Sequence, residues 1–279
     1  MQEGDLALDD GRTLHFYDQG PRTGAELAVF WLHGTPNIGP PPAPLFDDAA
    51  RLSIRWIGYD RPGYGGSSAR PGRDVASAAH DVARIADRLG IARFAVMGHS
   101  GGGPHALACA ALLPERVLAA VCVAGLAPID ANGLDWFAGM RPAAQDSLRA
   151  ALAGRAAKTA YEASNPEFDA AMFIEADWTA LSGPWSWFDS VVGPATAKGP
   201  AGLVDDDIAY VTPWGFDCAQ LTQPVLLLHG EQDRIAPIGH AEWLARHCSS
   251  AELWRREGDG HISVLAAAPQ ALDWLSARS

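Results

Sequence analysis

The stretch Arg93–Pro104 reads Arg-Phe-Ala-Val-Met-Gly-His-Ser-Gly-Gly-Gly-Pro. Phe94 to Met97 is an apolar run of strand type, Gly98 to Gly102 breaks it, and the alanine- and leucine-rich segment from His105 to Leu113 has helical composition. A strand is therefore turned sharply into a helix, with Ser100 at the corner. Such a corner holds its central residue in a sparsely populated backbone region and presses the flanking residues against adjoining chain, so those positions must be small. Gly98, Gly101 and Gly102 meet that requirement. A serine displayed in this way is a candidate nucleophile, although the pentapeptide from Gly98 to Gly102 alone also reads as a glycine-rich turn whose serine caps a helix. The surroundings must decide between the two.

Working outward, Leu6 to Leu8 and Thr13 to Tyr17 flank Asp9-Asp10-Gly11 and predict an opening hairpin with Leu14 and Phe16 on one face. Ala28 to Leu32 is continuously apolar, the pattern of a strand covered on both sides. Ile54 to Tyr59 predicts the next strand. Asp74 then opens a helix whose stripe of Val75, Ala78, Ala79, Val82, Ile85, Ala86 and Leu89 stops at Gly90. After the corner strand and its helix, Val117 to Ala124 predicts a sixth strand. From about Pro128 to Trp214 the alternation lapses, with breaks at Pro142, Pro166, Pro184, Pro194, Pro200 and Pro213. A compact domain does not contain so long a structureless loop, so residues 128–214 are expected to form a mainly helical insertion. Alternation resumes with Val225 to His229, a helix around His240 to His247, the strand Ala251 to Arg255 and a last helix from about Ile262 to Ala277. Strands interleaved with helices specify an α/β fold with a mostly parallel, doubly wound sheet, in which ligand chemistry sits at the carboxyl ends of the strands.

A serine hydroxyl is a weak nucleophile near neutrality and needs a base to take its proton and a carboxylate to orient that base. Two later strand ends supply them. Leu228-His229-Gly230-Glu231-Gln232-Asp233 places an acid just past one strand, and Gly258-Asp259-Gly260-His261 places a histidine just past the next. Ser100, Asp233 and His261 are thus the candidate catalytic residues. Glu231 could replace Asp233, as could Asp130 if the acid followed the sixth strand. His33 and His229 begin tight glycine turns and read as their anchors, Asp259 reads as a turn former, and the side chain of His99 should point away from that of Ser100.

The corner in its strand-turn-helix setting resembles the nucleophile elbow, G-x-S-x-G, of the α/β-hydrolase fold superfamily, and Ser, Asp, His is that family's chain order. His33-Gly34-Thr35-Pro36 resembles its H-G-x-P loop, and Asp60 to Ser68 (Asp-Arg-Pro-Gly-Tyr-Gly-Gly-Ser-Ser) its D-x-P-G-x-G-x-S string. Asp233 also fits the family's G-x-x-D pattern. The resemblance implies an α/β-hydrolase core of residues 1–127 and 215–279, with a helical cap, residues 128–214, inserted after the sixth strand and lying over the site. It implies that the backbone N–H groups of Thr35 and Gly101 form an oxyanion hole, that the Thr35–Pro36 bond is cis, and that Asp60 to Ser68 is a structural loop without chemistry. Asn37 stands where relatives commonly have glycine, so the loop beyond Pro36 is left undetermined. Haloalkane dehalogenases and epoxide hydrolases share both loops but carry aspartate at the elbow, where this chain has Ser100.

Composition narrows the ligand. The 279 residues suit one α/β domain with an insertion, and a formal charge of -12 repels nucleic acid and anionic membrane, leaving a small neutral or cationic substrate. Met1 to Asp10 carries Glu3, Asp5, Asp9 and Asp10, and no run of about eighteen apolar residues occurs, so a cytoplasmic location is expected. Cys109, Cys122, Cys218 and Cys248 lack paired short spacing and read as reduced core thiols. The chemistry calls for no metal and no cofactor, and monomer or homodimer is left open.

The expected function is that of a serine hydrolase cleaving a small, mainly neutral carboxylic ester through an acyl-enzyme intermediate. Half of the ten tryptophans lie in the insertion, and some of them are expected to line an apolar pocket facing Ser100. A proline-iminopeptidase-like aminopeptidase stays open, with Glu162, Glu175 or Asp205 to Asp207 holding the substrate amine, although relatives of that type usually have tryptophan where this chain has Gly101. A carbon-carbon bond hydrolase is not separable by motif. A hydrolase-like receptor that binds without turnover would show an eroded triad.

Overall fold

The computed structural model describes residues 1–20 and 26–278. Its eight strands are β1 (Gln2–Ala7), β2 (Thr13–Asp18), β3 (Leu27–Leu32), β4 (Ile54–Tyr59), β5 (Phe94–His99), β6 (Val117–Val123), β7 (Val225–Gly230) and β8 (Ala251–Arg256). They form one sheet in the order β1-β2-β4-β3-β5-β6-β7-β8. Every pairing from β4 across to β8 is parallel, and β2 runs antiparallel to both β1 and β4. The central place of β3 explains its unbroken apolar run. Successive side chains of a strand point to opposite faces, and here Val29 and Trp31 enter one buried cluster while Phe30 and Leu32 enter the other.

Helices cover both faces. Introduced in chain order, α1 (Phe46–Arg51), α2 (Ser77–Arg88) and α3 (Gly102–Leu112) precede β6, whereas α4 (Pro142–Leu152), α5 (Arg155–Ala163), α6 (Glu175–Leu181), α7 (Asp189–Ala195) and α8 (Ala201–Tyr210) lie between β6 and β7. The last two are α9 (Gly239–His247) and α10 (Ala268–Ser276). Val82 and Ile85 of α2, Leu107 of α3 and Leu244 of α9 join the cluster that holds Phe30. Ala49 of α1 with Leu272 and Leu275 of α10 joins the cluster that holds Trp31. The segment between β6 and β7 contains helices and no strand among the described residues, as its broken pattern predicts.

Several boundaries differ from the sequence expectation: α2 starts at Ser77 rather than directly after Asp74, and α3 at Gly102 rather than His105. β1 starts at Gln2 rather than Leu6, pairing with β2 in the register Leu6 to Leu14; it is an edge strand with an exposed, polar outer face, so no apolar alternation marks its first half. The last helix starts at Ala268, preceded by a 3-10 turn over Ser263–Ala267. All four cysteines are free and buried, and burial pushes the Cys109 and Cys122 thiols up. No helix among the described residues is long and apolar enough to cross a membrane.

The strand order fixes where chemistry can occur. From β3 the chain crosses through α1 to β4 on one side, then returns through α2 to β5 on the other. At such a reversal the loops leaving the two strands diverge and open a crevice at their carboxyl ends. Here those loops carry His33 to Pro36 and Ser100.

Candidate active site

The corner after β5 is as tight as its glycines demand. Ser100 has φ 55°, in the left-handed region that non-glycine residues rarely occupy, and its N–H donates to the Val123 carbonyl at 2.8 Å. A side chain at Gly98 would strike the Gly102 carbonyl, and one at Gly102 would strike that of Leu32. Only absent side chains let α3 start this close to β3.

His261 stands against the serine. Its Nε2 lies 2.9 Å from Ser100 Oγ and its Nδ1 2.7 Å from Asp233 Oδ2. With Nδ1–H donating to the carboxylate, Nε2 is left as the acceptor for the serine hydroxyl. Asp233 is fixed in turn, its Oδ1 accepting the Ile235 and Ala236 amides at 2.8 and 2.9 Å. Burial would push the imidazole pKa down, but the Asp233 carboxylate outweighs it and raises His261 above 6.5. Burial would raise Asp233, and the His261 ring beside it holds the carboxyl below its ordinary range instead.

The rival residues make other contacts. Glu231 is exposed beside Arg255, and Asp130 is exposed at the surface. His229 donates from Nε2 to the Ala236 carbonyl at 2.5 Å, anchoring the loop that carries Asp233. His99 donates from Nε2 to the His261 carbonyl at 3.0 Å. Burial first, then the neighbouring His261, pushes the His99 pKa down to about 3, so it braces as a neutral ring.

The loop after β3 meets the elbow from the other side. The Thr35–Pro36 bond is cis. A Cβ built at Gly34 would sit 3.5 Å from Ser100 Cβ, and one at Gly101 would sit 2.5 Å from Thr35 Oγ1, so Thr35 and Gly101 are side by side next to the serine. His33 is held at both ring nitrogens, Nε2 accepting from the Arg61 amide at 3.0 Å and Nδ1 donating to the Gly34 carbonyl at 2.7 Å.

Sequence reasoning missed what holds this loop in place. The Arg61 guanidinium donates to the His33 carbonyl, to the Gly34 carbonyl at 3.0 Å and to Thr35 Oγ1 at 3.0 Å. Asp206, on α8 and fully buried, contacts Arg61 and Arg73 at 2.6 Å each, Tyr64 Oη at 2.8 Å and the Thr35 hydroxyl at 2.6 Å. Tyr210, one helical turn on, places its hydroxyl 2.8 Å from Thr35 Oγ1 and donates to the Gly101 carbonyl at 3.1 Å. Burial alone would raise the Asp206 carboxyl; the Arg61 and Arg73 charges overcome it and hold the group well below 3.8. Arg61 and Tyr64 of the string from Asp60 to Ser68 thus contact the neighbouring loop directly. Nothing local in the sequence distinguishes this Arg61 or Asp206 from surface charges.

The carboxylates of the insertion are largely committed. Asp205 pairs with Arg155, Asp207 with Lys158 at 2.6 Å, and Glu162 with the same Lys158 at 2.5 Å, while Glu175 is exposed. Asp177, buried on α6, accepts from the His261 backbone N–H at 3.2 Å. The tryptophans are engaged in packing. Trp136 and Trp214 belong to the cluster with Phe30, Trp185 belongs to the one with Trp31, Trp187 meets Trp31 edge-on, and Trp178 is partly exposed against Phe168 and Phe173. Two rings of this segment reach the elbow: Phe188 packs on His99 with centroids 5.6 Å apart, and Tyr210 bonds the Gly101 carbonyl. The contacts that fix these tryptophans are with other apolar and aromatic side chains, so each contributes buried area to the packing of this segment.

The relatives agree with this architecture. The family model described as the α/β hydrolase fold matches residues 28–268, and the chain belongs to that family. It is 29% identical over 282 residues to the non-heme chloroperoxidase of Streptomyces lividans, covering 97% of this chain and 96% of that protein. To the pimeloyl-(acyl-carrier protein) methyl ester esterase of Nitrosomonas europaea it is 32% identical over 214 residues, 74% of this chain and 78% of the other. Among solved structures, an esterase from Rhodococcus sp. ECU1013 shares the fold with a TM-score of 0.73 at 19% identity, each chain being covered completely.

Proposed function

We propose that this α/β-hydrolase cleaves a small, mainly neutral carboxylic ester through an acyl-enzyme, with Ser100 as nucleophile, His261 as base and acid, and Asp233 as its orienting partner. The observation that carries this reading is the unbroken hydrogen-bonded line Asp233–His261–Ser100 at the switch point of the sheet. Ser100 Oγ attacks the carbonyl carbon as His261 Nε2 takes its proton, and the carbonyl electrons move onto oxygen facing the Thr35 and Gly101 amides. Collapse of this intermediate breaks the bond to the alkoxy group, which leaves as alcohol with the proton from His261. Water then repeats the sequence on the acyl-enzyme and frees Ser100. Residues 128–214 act as a cap over a core of 1–127 and 215–279.

An ester fits better than a substrate held by its amine. Of the carboxylates considered for gripping an ammonium group, Glu162 and Asp205 to Asp207 are paired with cations of the protein itself, and Glu175 is exposed at the surface. A panel of p-nitrophenyl esters of rising chain length, run beside an aminoacyl nitroanilide, tests the assignment. Ester turnover should dominate kcat/KM and fall to less than about a tenth in Ser100→Ala, whose fold is unchanged. A clear preference for the free α-amino substrate would instead favour the aminopeptidase.

A further inference from the structure

We propose that Asp177, carried by the insertion, is a positioning residue for His261: its buried carboxylate fixes the loop from Gly260 to Ser263 that presents the imidazole to Ser100. The inference rests on reading His261 as the catalytic base. Asp177 is 1% exposed, and its two oxygens accept five hydrogen bonds. Oδ1 takes the Ile262 N–H at 2.9 Å, the Ser263 N–H at 2.8 Å and the Ser263 hydroxyl at 2.8 Å. Oδ2 takes the His261 N–H and the Ile174 N–H, each at 3.2 Å. All five donors are uncharged.

The direction of these bonds is informative. A carboxylate at the third position of α6 that served only its own helix would need the Ile174 bond alone. Four of the five donors belong instead to the histidine loop. Ser263 extends the grip, its Oγ accepting the Gly260 N–H at 2.7 Å. Gly260 must be glycine for this approach, since a side chain there would strike the carboxylate. His261 is consequently clamped at its N–H by Asp177, at its carbonyl by His99 and at its ring by Asp233 and Ser100.

A carboxylate that is buried without a cation keeps much of its field, because little solvent screens it. The groups that face His261 are Asp233 after β7, His99 on β5, Asp177 on α6 and Ser100, with His229 3.6 Å behind Asp233. Asp177 and Asp233 are the anions among them. Both favour the protonated ring, against burial, which opposes it.

Asp177→Asn in the full chain tests this. The amide still accepts through oxygen but turns an N–H towards the His261 and Ile174 donors and removes the charge. The expected result is a loss of kcat on the order of 10- to 100-fold with KM within about twofold, since a misplaced catalytic group slows the step without touching the substrate. The acid limb of kcat/KM should move down by about 0.5 to 1 pH unit, because one favouring anion is gone. Glu175→Gln, two residues away and exposed, should leave both unchanged. A loss that appears in KM, or an acid limb that stays in place, overturns the proposal. Should Asp177→Asn fail to fold, Ser263→Ala removes the hydroxyl that bridges Gly260 to Asp177; kcat should fall several-fold at constant KM, and wild-type kcat overturns it equally. Ser100→Ala separates the two levels. If that variant keeps its activity, the reading of the triad fails, whereas an inactive Ser100→Ala beside a normal Asp177→Asn defeats this inference alone.

Discussion

At the residue scale, the proposed base His261 is expected to set the working pH. A general base acts only when neutral, and the Asp233 partnership raises this imidazole above 6.5 in spite of burial. Activity should therefore be full above the raised value and decline as pH falls through it, so that the acid limb of kcat/KM lies above pH 6.5; a limb below that value would contradict the pairing. The acid has its own signature. Asp233→Asn should cut kcat by two or more orders of magnitude, because the amide cannot hold Nδ1–H in the needed tautomer. Glu231→Gln and Asp130→Asn, both at exposed carboxylates, should stay within about twofold of wild type. Comparable damage at Asp130 would move the acid to the end of β6. The three residues were legible because each follows a strand end in a short glycine turn. Asp177 and His99 were not: their partners are backbone groups far away in sequence, and no local pattern marks such a bond.

At the scale of elements, α8 is a brace for the loop after β3. Arg61, Arg73 and Asp206 are buried together, and an ion pair of this kind is costly to break by removing one partner, since the charges left behind have no solvent. Asp206→Asn should destabilise the protein by about 3 to 5 kcal/mol in denaturant unfolding and lower kcat as Thr35 loses its anchor. A variant within about 1 kcal/mol of wild type would show that the cluster is dispensable. The pH dependence has a definite sign. The Asp206 carboxyl is held well below 3.8, so its contribution is complete above that pH and is lost as pH falls through the depressed value. Helices and strands of the core could be placed from periodicity because each buries a regular face. The first half of β1 could not, being an exposed edge, nor could the contacts of α8, where Asp205, Asp206 and Asp207 are buried beside Val204 and Ala209 and blur any apolar stripe.

For the whole molecule, the doubly wound order followed from the alternation of apolar runs and helical stripes, and the crevice position follows from that order. What no local pattern conveys is how far apart along the chain the parts of the site are. Arg61 and Asp206 are separated by 145 positions, Ser100 and His261 by 161, and Thr35 and Asp206 by 171. Contacts between such distant segments form only after the intervening chain has been brought together, which slows their appearance relative to local structure. On refolding from denaturant, far-UV circular dichroism should recover before ester hydrolysis does; simultaneous recovery would refute this. A half-made chain, still emerging from the ribosome with its elbow already turned, then exposes a serine that has neither its base nor a braced amide beside it. On the proposed mechanism, Ser100 should stay chemically silent towards bystander esters until the final strands have been laid down.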